Sequence, residues 1–249
     1  MRYAVLSDIH GNWEALEAVL AQTAKADVAH YLCLGDFVGY GADPTAVLKR
    51  LRELPATLVA GNHDWACVGK VDADYFNRYA RAAVEWTRGQ LSFTDLAFLR
   101  SLRAKQETGP ATLVHGTLRC PEKFEYLLDV AQALESATIA RTPLCLVGHT
   151  HVPCVIEVDP HQTTVTRALE RPEDLTHVTL DLQRRKYVIN PGSVGQPRDG
   201  DPRASCAVLD PDGGWVDILR VPYDVAAAQG KILAAGLPRF LAERLAVGQ

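Results

Sequence analysis

Apolar and polar positions follow two different rhythms along this chain, and the change between them falls near its middle. In the first half, short continuous apolar runs alternate with stretches whose apolar residues recur at helical spacing. Residues 2–7 read as a strand, and residues 13–24 as a helix with Trp13, Leu16, Val19 and Leu20 on one face. Residues 30–34 give a second strand, after which Asp43-Pro44 supplies an N-cap and a first-turn proline for a helix through about Leu54. Residues 57–60 predict a third strand, and a long helical region follows over about 73–103 with a fresh start near Thr94. Strand, helix and strand are then expected at 111–115, 123–140 and 144–148.

The second half is β-rich. Short runs at about 152–158, 163–169, 176–181, 186–189, 204–210 and 214–221 are separated by Pro, Gly and Asp, the punctuation of strands and hairpins. Residues 223–247 return to helix, broken by Gly236-Leu237-Pro238. No repeat, low-complexity stretch or linker interrupts the pattern, so residues 1–249 are expected to form one domain. Alternation followed by β pairing predicts an α+β architecture in α-β-β-α layers, two packed sheets flanked by helices. The order of the strands within each sheet does not follow from the pattern.

Composition narrows the class. With 47% hydrophobic and 22% charged residues, the 249-residue chain can bury a sizeable core and is not disordered. A net charge of −4 gives no overall attraction for nucleic acid or an anionic membrane. The basic stretches Lys49-Arg50 and Arg184-Arg185-Lys186 read as solvated surface. No apolar run of about 18 residues occurs, and the N-terminal residues lack a signal-peptide pattern. The six cysteines form no C-x-x-C pair, and Cys33, Cys145 and Cys206 sit inside apolar runs as small hydrophobes. A reduced cytoplasmic setting is the expectation.

The candidate chemistry lies in five polar clusters, each following an apolar strand candidate: Ser7-Asp8-Ile9-His10-Gly11-Asn12, Gly35-Asp36, Gly61-Asn62-His63-Asp64, His115-Gly116 and Gly148-His149-Thr150-His151. Five of the eight histidines fall in them, which is why they are taken as one group. Strand ends in layered α/β folds converge on one edge, so these residues can meet. Asp8 and His10, two apart at a strand end, can both turn toward a cation; Asp36 has two carboxylate oxygens and can bridge two. Asn62 offers a neutral carbonyl oxygen, and the imidazoles suit Zn, Fe, Ni and Mn. Each cluster alone has a bland reading as a turn or a buried polar residue. Their joint occurrence, in order and after strands, does not.

The ordered pattern D-x-H, G-D, G-N-H-D, H, G-H-x-H resembles the calcineurin-like metallophosphoesterase superfamily over residues 8–151. The whole chain is similar to its small bacterial branch, including Asn190-Pro191-Gly192-Ser193-Val194-Gly195. The resemblance implies a two-sheet sandwich and two divalent metals. Asp8, His10 and His151 would hold one, Asn62, His115 and His149 the other, and Asp36 would bridge them. It further implies that a water shared by the metals attacks phosphorus, and that His63 faces the substrate, stabilising the transition state or protonating the leaving oxygen. Arg119 and Arg198, in loops after the His115 and Asn190 segments, are candidates for clamping phosphate. The donor types admit Mn, Fe, Zn, Ni or Co, with manganese the first choice.

One departure points to substrate. In the superfamily's protein phosphatases the second motif runs G-D-x-V-D-R-G, whereas here it reads Gly35-Asp36-Phe37-Val38-Gly39-Tyr40-Gly41. Gly39 and Tyr40 stand where an aspartate and a phosphate-binding arginine would. A small phosphoester, a diester before a monoester, is therefore the expected substrate, with no membrane or nucleic-acid partner. The alternatives are a nuclease on the same scaffold, which would need a basic track, and a metal-retaining regulatory protein, which would be expected to lack a ligand or His63.

Overall fold

The computed structural model describes residues 1–170 and 176–249. Two six-stranded sheets pack face to face. The first has the order β3-β2-β1-β11-β12-β9 and the second β4-β5-β6-β10-β7-β8. The strands of the first sheet are β1 (Tyr3–Leu6), β2 (His30–Cys33), β3 (Ala56–Leu58), β9 (Val178–Thr179), β11 (Ala204–Asp210) and β12 (Trp215–Val221). Those of the second are β4 (Lys105–Thr108), β5 (Ala111–Val114), β6 (Leu144–Leu146), β7 (Cys154–Asp159), β8 (Thr164–Leu169) and β10 (Lys186–Asn190). Three neighbouring strands are parallel in each sheet, β1-β2-β3 and β5-β6-β10. The remaining pairings are antiparallel, including the hairpins β11–β12 and β7–β8.

The strand pleat sorts side chains between the layers. In β1, Tyr3 and Val5 enter the core between the sheets, which also holds Leu32, Leu113, Leu146, Ile189 and Leu209. The alternate residues Ala4 and Leu6 face the helices α1 (Trp13–Thr23) and α2 (Pro44–Glu53), whose Leu16, Val19, Leu20, Val47 and Leu48 cover that sheet. On the far side, Ala133 and Ala137 of α6 (Val130–Ile139) pack on Cys145, Ile156 and Val188. The expected α-β-β-α layering is what the chain adopts.

Several boundaries differ from the expectation, for local reasons. The helical region 73–103 is a 3₁₀ turn, Ala73–Tyr75, and two helices, α4 (Arg78–Gln90) and α5 (Phe93–Ser101). Asn77 caps the first through Tyr79 and Ala80, and Ser92 starts the second in a reciprocal pair with Asp95. The predicted helix 123–140 begins only at Val130, because Asp129 caps it and residues 124–129 form a loop held by Thr117 N–H donating to the Glu125 carbonyl. The cluster at Gly61 is not all loop: Asn62 begins the short helix α3 (Asn62–Cys67). Edge strand β4 carries no apolar alternation and escaped notice. At the C-terminal end, α7 (Val225–Ala234) and α8 (Arg239–Glu243) follow the expectation, with a closing 3₁₀ turn at Arg244–Val247. Asp43 precedes α2 as expected, but its carboxylate pairs with Lys231 at 2.8 Å and makes no cap bond.

Candidate metal centre

The five clusters occupy the loops that leave β1, β2, β3, β5 and β6, and the parallel pairing of these strands in each sheet brings the loops together. His10 Nε2 lies 3.2 Å from His151 Nε2, and Asp8 Oδ1 lies 3.2 Å from that same His151 atom. A second group forms beside it: His115 Nε2 is 3.1 Å from His149 Nδ1 and 3.3 Å from Asp36 Oδ2. Asp36 Oδ2 also faces His10 Nε2 at 3.7 Å, so one carboxylate oxygen stands between the two groups. All of these side chains are buried.

The orientation of each group is set from behind. His10 Nδ1 contacts the Val38 carbonyl at 3.1 Å, His115 Nδ1 that of Leu34 at 2.7 Å, and His151 Nδ1 that of Gln196 at 2.5 Å. A carbonyl can only accept, so each Nδ1 carries the proton, and Nε2 is the nitrogen each ring turns inward, with a free lone pair when the ring is neutral. Asp8 Oδ2 accepts from Ser7 Oγ and from His149 N–H, leaving Oδ1 bare; Asp36 Oδ1 accepts from His63 N–H, leaving Oδ2 to face the imidazoles of His115 and His10. The motif Asn190–Gln196 is a buttress. Asn190 Nδ2 donates to the Gly148 carbonyl, Ser193 Oγ to that of Asp8, and Asn12 Nδ2 to that of Gly195 while Asn12 Oδ1 caps α1 at Ala15.

Carboxylate oxygens, an amide oxygen and imidazole nitrogens therefore converge on one space. Asp8 Oδ1 and Asn62 Oδ1 are buried without any partner, and each such atom costs about 1–3 kcal/mol unless something satisfies it. A cation does. Two donor groupings, Asp8-His10-His151 and Asp36-His115-His149, each have their atoms within 4.8 Å of one another, and a third joins His10, Asp36 and His63. Imidazole and carboxylate donors suit first-row divalent ions. The backbone is also shaped for convergence: Asp8, His10, Asp36, His149 and His151 all have φ between 50° and 68°. That left-handed conformation costs a non-glycine residue about 1–2 kcal/mol each, and here it turns the side chains off the strand ends toward one point.

Charge follows burial and neighbours. Burial holds His10 and His149 well below the ordinary imidazole range, and it lowers His151 as well. Burial alone would raise Asp36 and Asp8, but the surrounding imidazoles outweigh it and both stay ionised. His115 is the exception: burial opposes its charge, yet Asp36 and Asp8 raise it to about 9. It is the imidazole on which the negative field of the two carboxylates falls most heavily. Burial, then the charge of Asp36, push Asp64 up to about 8. Its carboxyl accepts from the N–H groups of Gly61, Phe37 and Val38 and so ties the second and third clusters together.

His63 adjoins the ligand groups through His10 and Asp36 and packs among aromatic rings. Its ring contacts Tyr40 (centroids 4.5 Å apart), His10 (4.9 Å) and Phe76 (4.9 Å), and burial lowers it to about 4. Its Nδ1 is buried without a partner against Gly39, where a Cβ would stand 2.5 Å from that nitrogen. Gly39 is thus the space the His63 ring needs. Gly61 plays the same part for Asp36, since a Cβ there would lie 2.0 Å from Asp36 Oδ1.

Beside this centre opens a cleft of about 430 Å³, lined by Tyr40, Asn62, His63, Phe76, Tyr126 and His149 among others. Of the two arginines singled out, Arg198 is at hand, its guanidinium 5.8 Å from the centre of the Tyr40 ring. Arg119 is not brought to the site: its side chain is exposed and lies near Glu135 at 3.9 Å. Sequence reasoning missed Tyr126, which stacks on His149 at 3.8 Å between centroids, and the Phe124 ring beside His115. No local signal marks either, because both come from the irregular loop read as helix. Ser7 was already in the first cluster, and the structure adds its role, a hydrogen bond from Oγ to Asp8 Oδ2 at 2.6 Å.

A four-layer sandwich whose strand ends gather imidazoles and carboxylates around one pocket is the architecture of a metal-dependent hydrolase. Comparison with known proteins gives the family. The calcineurin-like phosphoesterase superfamily domain matches residues 1–214, and the chain belongs to that family of metal-dependent hydrolases acting on phosphoester bonds. The chain is 37% identical over 250 residues to an uncharacterized protein of Methanocaldococcus jannaschii, covering 99% of this chain and 98% of that one. Its fold matches a crystal structure of a metallophosphoesterase from Sphaerobacter thermophilus with a TM-score of 0.83 and 41% identity, covering 100% and 99% of the two chains. It also matches a hypothetical protein from Pyrococcus horikoshii with a TM-score of 0.77, 20% identity and coverage of 100% and 98%. Among the described residues no helix is long and apolar enough to cross a membrane.

Proposed function

We propose that residues 1–249 act as one catalytic unit that hydrolyses small phosphodiesters in the cytoplasm with two divalent metals. Asp8, His10 and His151 hold one metal, Asn62, His115 and His149 the other, and Asp36 bridges them. The observation that carries this reading is Asp36 Oδ2, which faces both His10 and His115, while Oδ1 is occupied by the His63 N–H. The seven donors are too many for one four-coordinate ion. When bound, such a pair supplies Lewis acidity and an activated water. Manganese remains the first choice, with Fe, Zn, Ni and Co as the other candidates.

The chain's own contribution is position and hydrogen bonding. Burial of His63 Nδ1 leaves Nε2 as the ring nitrogen open to the cleft. Burial also favours the neutral ring, and nearby cations would favour it further, so His63 acts by donating a hydrogen bond to the phosphoryl or leaving oxygen rather than as a full charge. Arg198 orients the reacting group from the Tyr40 side. A neutral His63 and a single nearby arginine suit a diester, which carries less charge than a terminal monoester.

The test is a hydrolysis panel run after chelation and reloading with each metal. An activated aryl phosphodiester should show higher kcat/KM than the matching monoester at equal metal and pH. A monoester preference of about tenfold or more, 1.4 kcal/mol in the wrong direction, would overturn the substrate reading. One tightly bound metal per chain under metal-replete conditions would overturn the dinuclear one.

A further inference from the structure

We propose that the cleft beside the metal centre is a slot for a flat ring, and that its aromatic lining selects phosphodiesters in which one ester group carries such a ring a few bonds from phosphorus. The inference rests on the phosphodiester reading above and names the substrate class more closely: diesters bearing an unsaturated ring, either a nucleobase or an aryl group.

Aromatic side chains are scarce in this chain and concentrated at this place. Of its eight tyrosines and six phenylalanines, three and two line the cleft: Tyr40, Tyr75, Tyr126, Phe76 and Phe124. Asn62, His63 and His149 line it as well, so whatever enters meets the residues of the centre itself. Three of the five rings are spent on packing. Tyr40 and Phe76 lie against the His63 ring, with centroids 4.5 and 4.9 Å away, and the buried Phe124 stands edge-on to Trp65 and His115 at 5.4 and 5.8 Å.

Tyr75 and Tyr126 are not spent in this way. Tyr75 ends the 3₁₀ turn Ala73–Tyr75 and is 89% exposed. Among the described residues no ring packs on it and its hydroxyl has no hydrogen-bond partner. It adds nothing to the core, yet it presents a large rigid π-face to the cleft. Tyr126 uses one face only: it stacks on His149 with centroids 3.8 Å apart and planes 17° from parallel. It is 43% exposed, and among the described residues no second ring covers it.

The stack also sets the reach. A ring laid on the outer face of Tyr126 would lie about 3.5–4.0 Å beyond it, roughly twice as far from His149 as Tyr126 itself. A phosphorus beside His63 and His149 is joined to that ring through a spacer of several bonds, such as a sugar or a three-carbon chain, and not by direct attachment. The rest of the lining agrees. Val71 and Ala80 add apolar wall, while Glu122 and Lys123 are exposed at the cleft and, among the described residues, neither is in an ion pair. They offer a carboxylate and an ammonium to the polar edge of a heterocycle. At about 430 Å³ the cleft is of the size that takes a small molecule.

The experiment uses enzyme reloaded with metal and trifluoroethyl phosphodiesters, whose shared group has no ring. The other alcohol is 3-phenylpropanol or 3-cyclohexylpropanol in one pair, and thymidine, joined at its 5′ oxygen, or the abasic deoxyribose in the second. In the native enzyme, kcat/KM should be about three- to tenfold higher for phenylpropyl over cyclohexylpropyl, the scale of an aromatic pair, or about five- to a hundredfold higher for thymidine over abasic sugar, the scale of base stacking. An advantage in the first pair alone identifies an aryl source, in the second alone a nucleobase, and in both any flat ring. Tyr75→Ala should cut that advantage at least about threefold and change kcat/KM for the ringless ester less than about twofold, while Tyr75→Phe keeps it. Tyr126→Leu should also cut it. Metal content, measured alongside, separates this from damage to His149, and Tyr75, which stacks on no ligand, carries the test where Tyr126→Leu loses metal. The four matching phosphonates, whose carbon–phosphorus bond is not cleaved, give a readout without turnover. Followed by calorimetry, the ringed one should bind at least about threefold more weakly to Tyr75→Ala than to the native protein. No ring advantage in either pair, an advantage that Tyr75→Ala leaves intact, or equal losses on all four esters would each overturn the proposal. So would a Tyr75→Ala variant altered only in oligomeric state, which would make this face a contact between copies of the chain. Failure of the native enzyme to cleave any ester with any metal would instead overturn the phosphodiester reading, and phosphonate binding would then decide alone on the slot.

Discussion

The floor of the cleft and its rim are built on opposite principles. On the floor, Asp8, Asp36, His10, His115 and His151 are almost fully buried, and each is fixed by at least one hydrogen bond from or to the backbone. On the rim, Tyr75 is 89% exposed and Tyr126 is 43% exposed, and behind Tyr40 the half-buried Arg198 has an Nε that meets no acceptor. The floor comes from strand-end loops whose positions follow from sheet pairing. The rim comes from a 3₁₀ turn and an irregular loop, which meet only because the elements beneath them pack. Reaction type is thus a property of the sheets, and substrate choice a property of what is laid over them.

Four substitutions probe that division, beginning with the largest effect. Asp36→Asn should weaken both metals together, since one oxygen serves both groups, and activity should drop by more than the ~10⁴-fold upper range of a single general acid. Elemental analysis would check it: a variant that keeps one metal at full occupancy shows that Asp36 does not bridge. His63→Ala comes next. kcat should fall by roughly 10²–10⁴-fold with metal content nearly unchanged, whereas His149→Ala should lose metal first. Loss of metal from His63→Ala would make it a ligand, as its nearness to His10 and Asp36 allows. Smaller still is Gly39→Ala, whose new methyl would displace the His63 ring. A shift of that kind should lower kcat roughly 10–100-fold without releasing metal, and a kcat within about twofold of native, under 0.5 kcal/mol, would show that the ring tolerates displacement.

The same division explains what the sequence made legible. The clusters at Asp8, Asp36, Asn62, His115 and His149 stood out because each is short, local and placed directly after an apolar strand. The sandwich itself followed from the change of rhythm between the two halves. Helix ends were less readable where caps decide them. The start at Asn62 lies inside a motif that reads as loop, and Asp129 halts the apolar pattern that otherwise runs on from 123. Arg119 and Arg198 looked equivalent, each a cation after a motif. Only tertiary packing turns one toward Tyr40 and leaves the other beside Glu135.

The left-handed backbone at Asp8, His10, Asp36, His149 and His151 has a consequence for any attempt to harden this protein. Glycine adopts that conformation without penalty, and it would also remove bare buried acceptors. A selection that rewards heat resistance and ignores turnover will therefore favour these five positions over most of the surface. The most thermostable descendants of such a selection would be the ones least able to hold a metal. Stability screening of this fold has to keep catalysis in the assay, because five of the proposed metal ligands are also held in a strained backbone conformation.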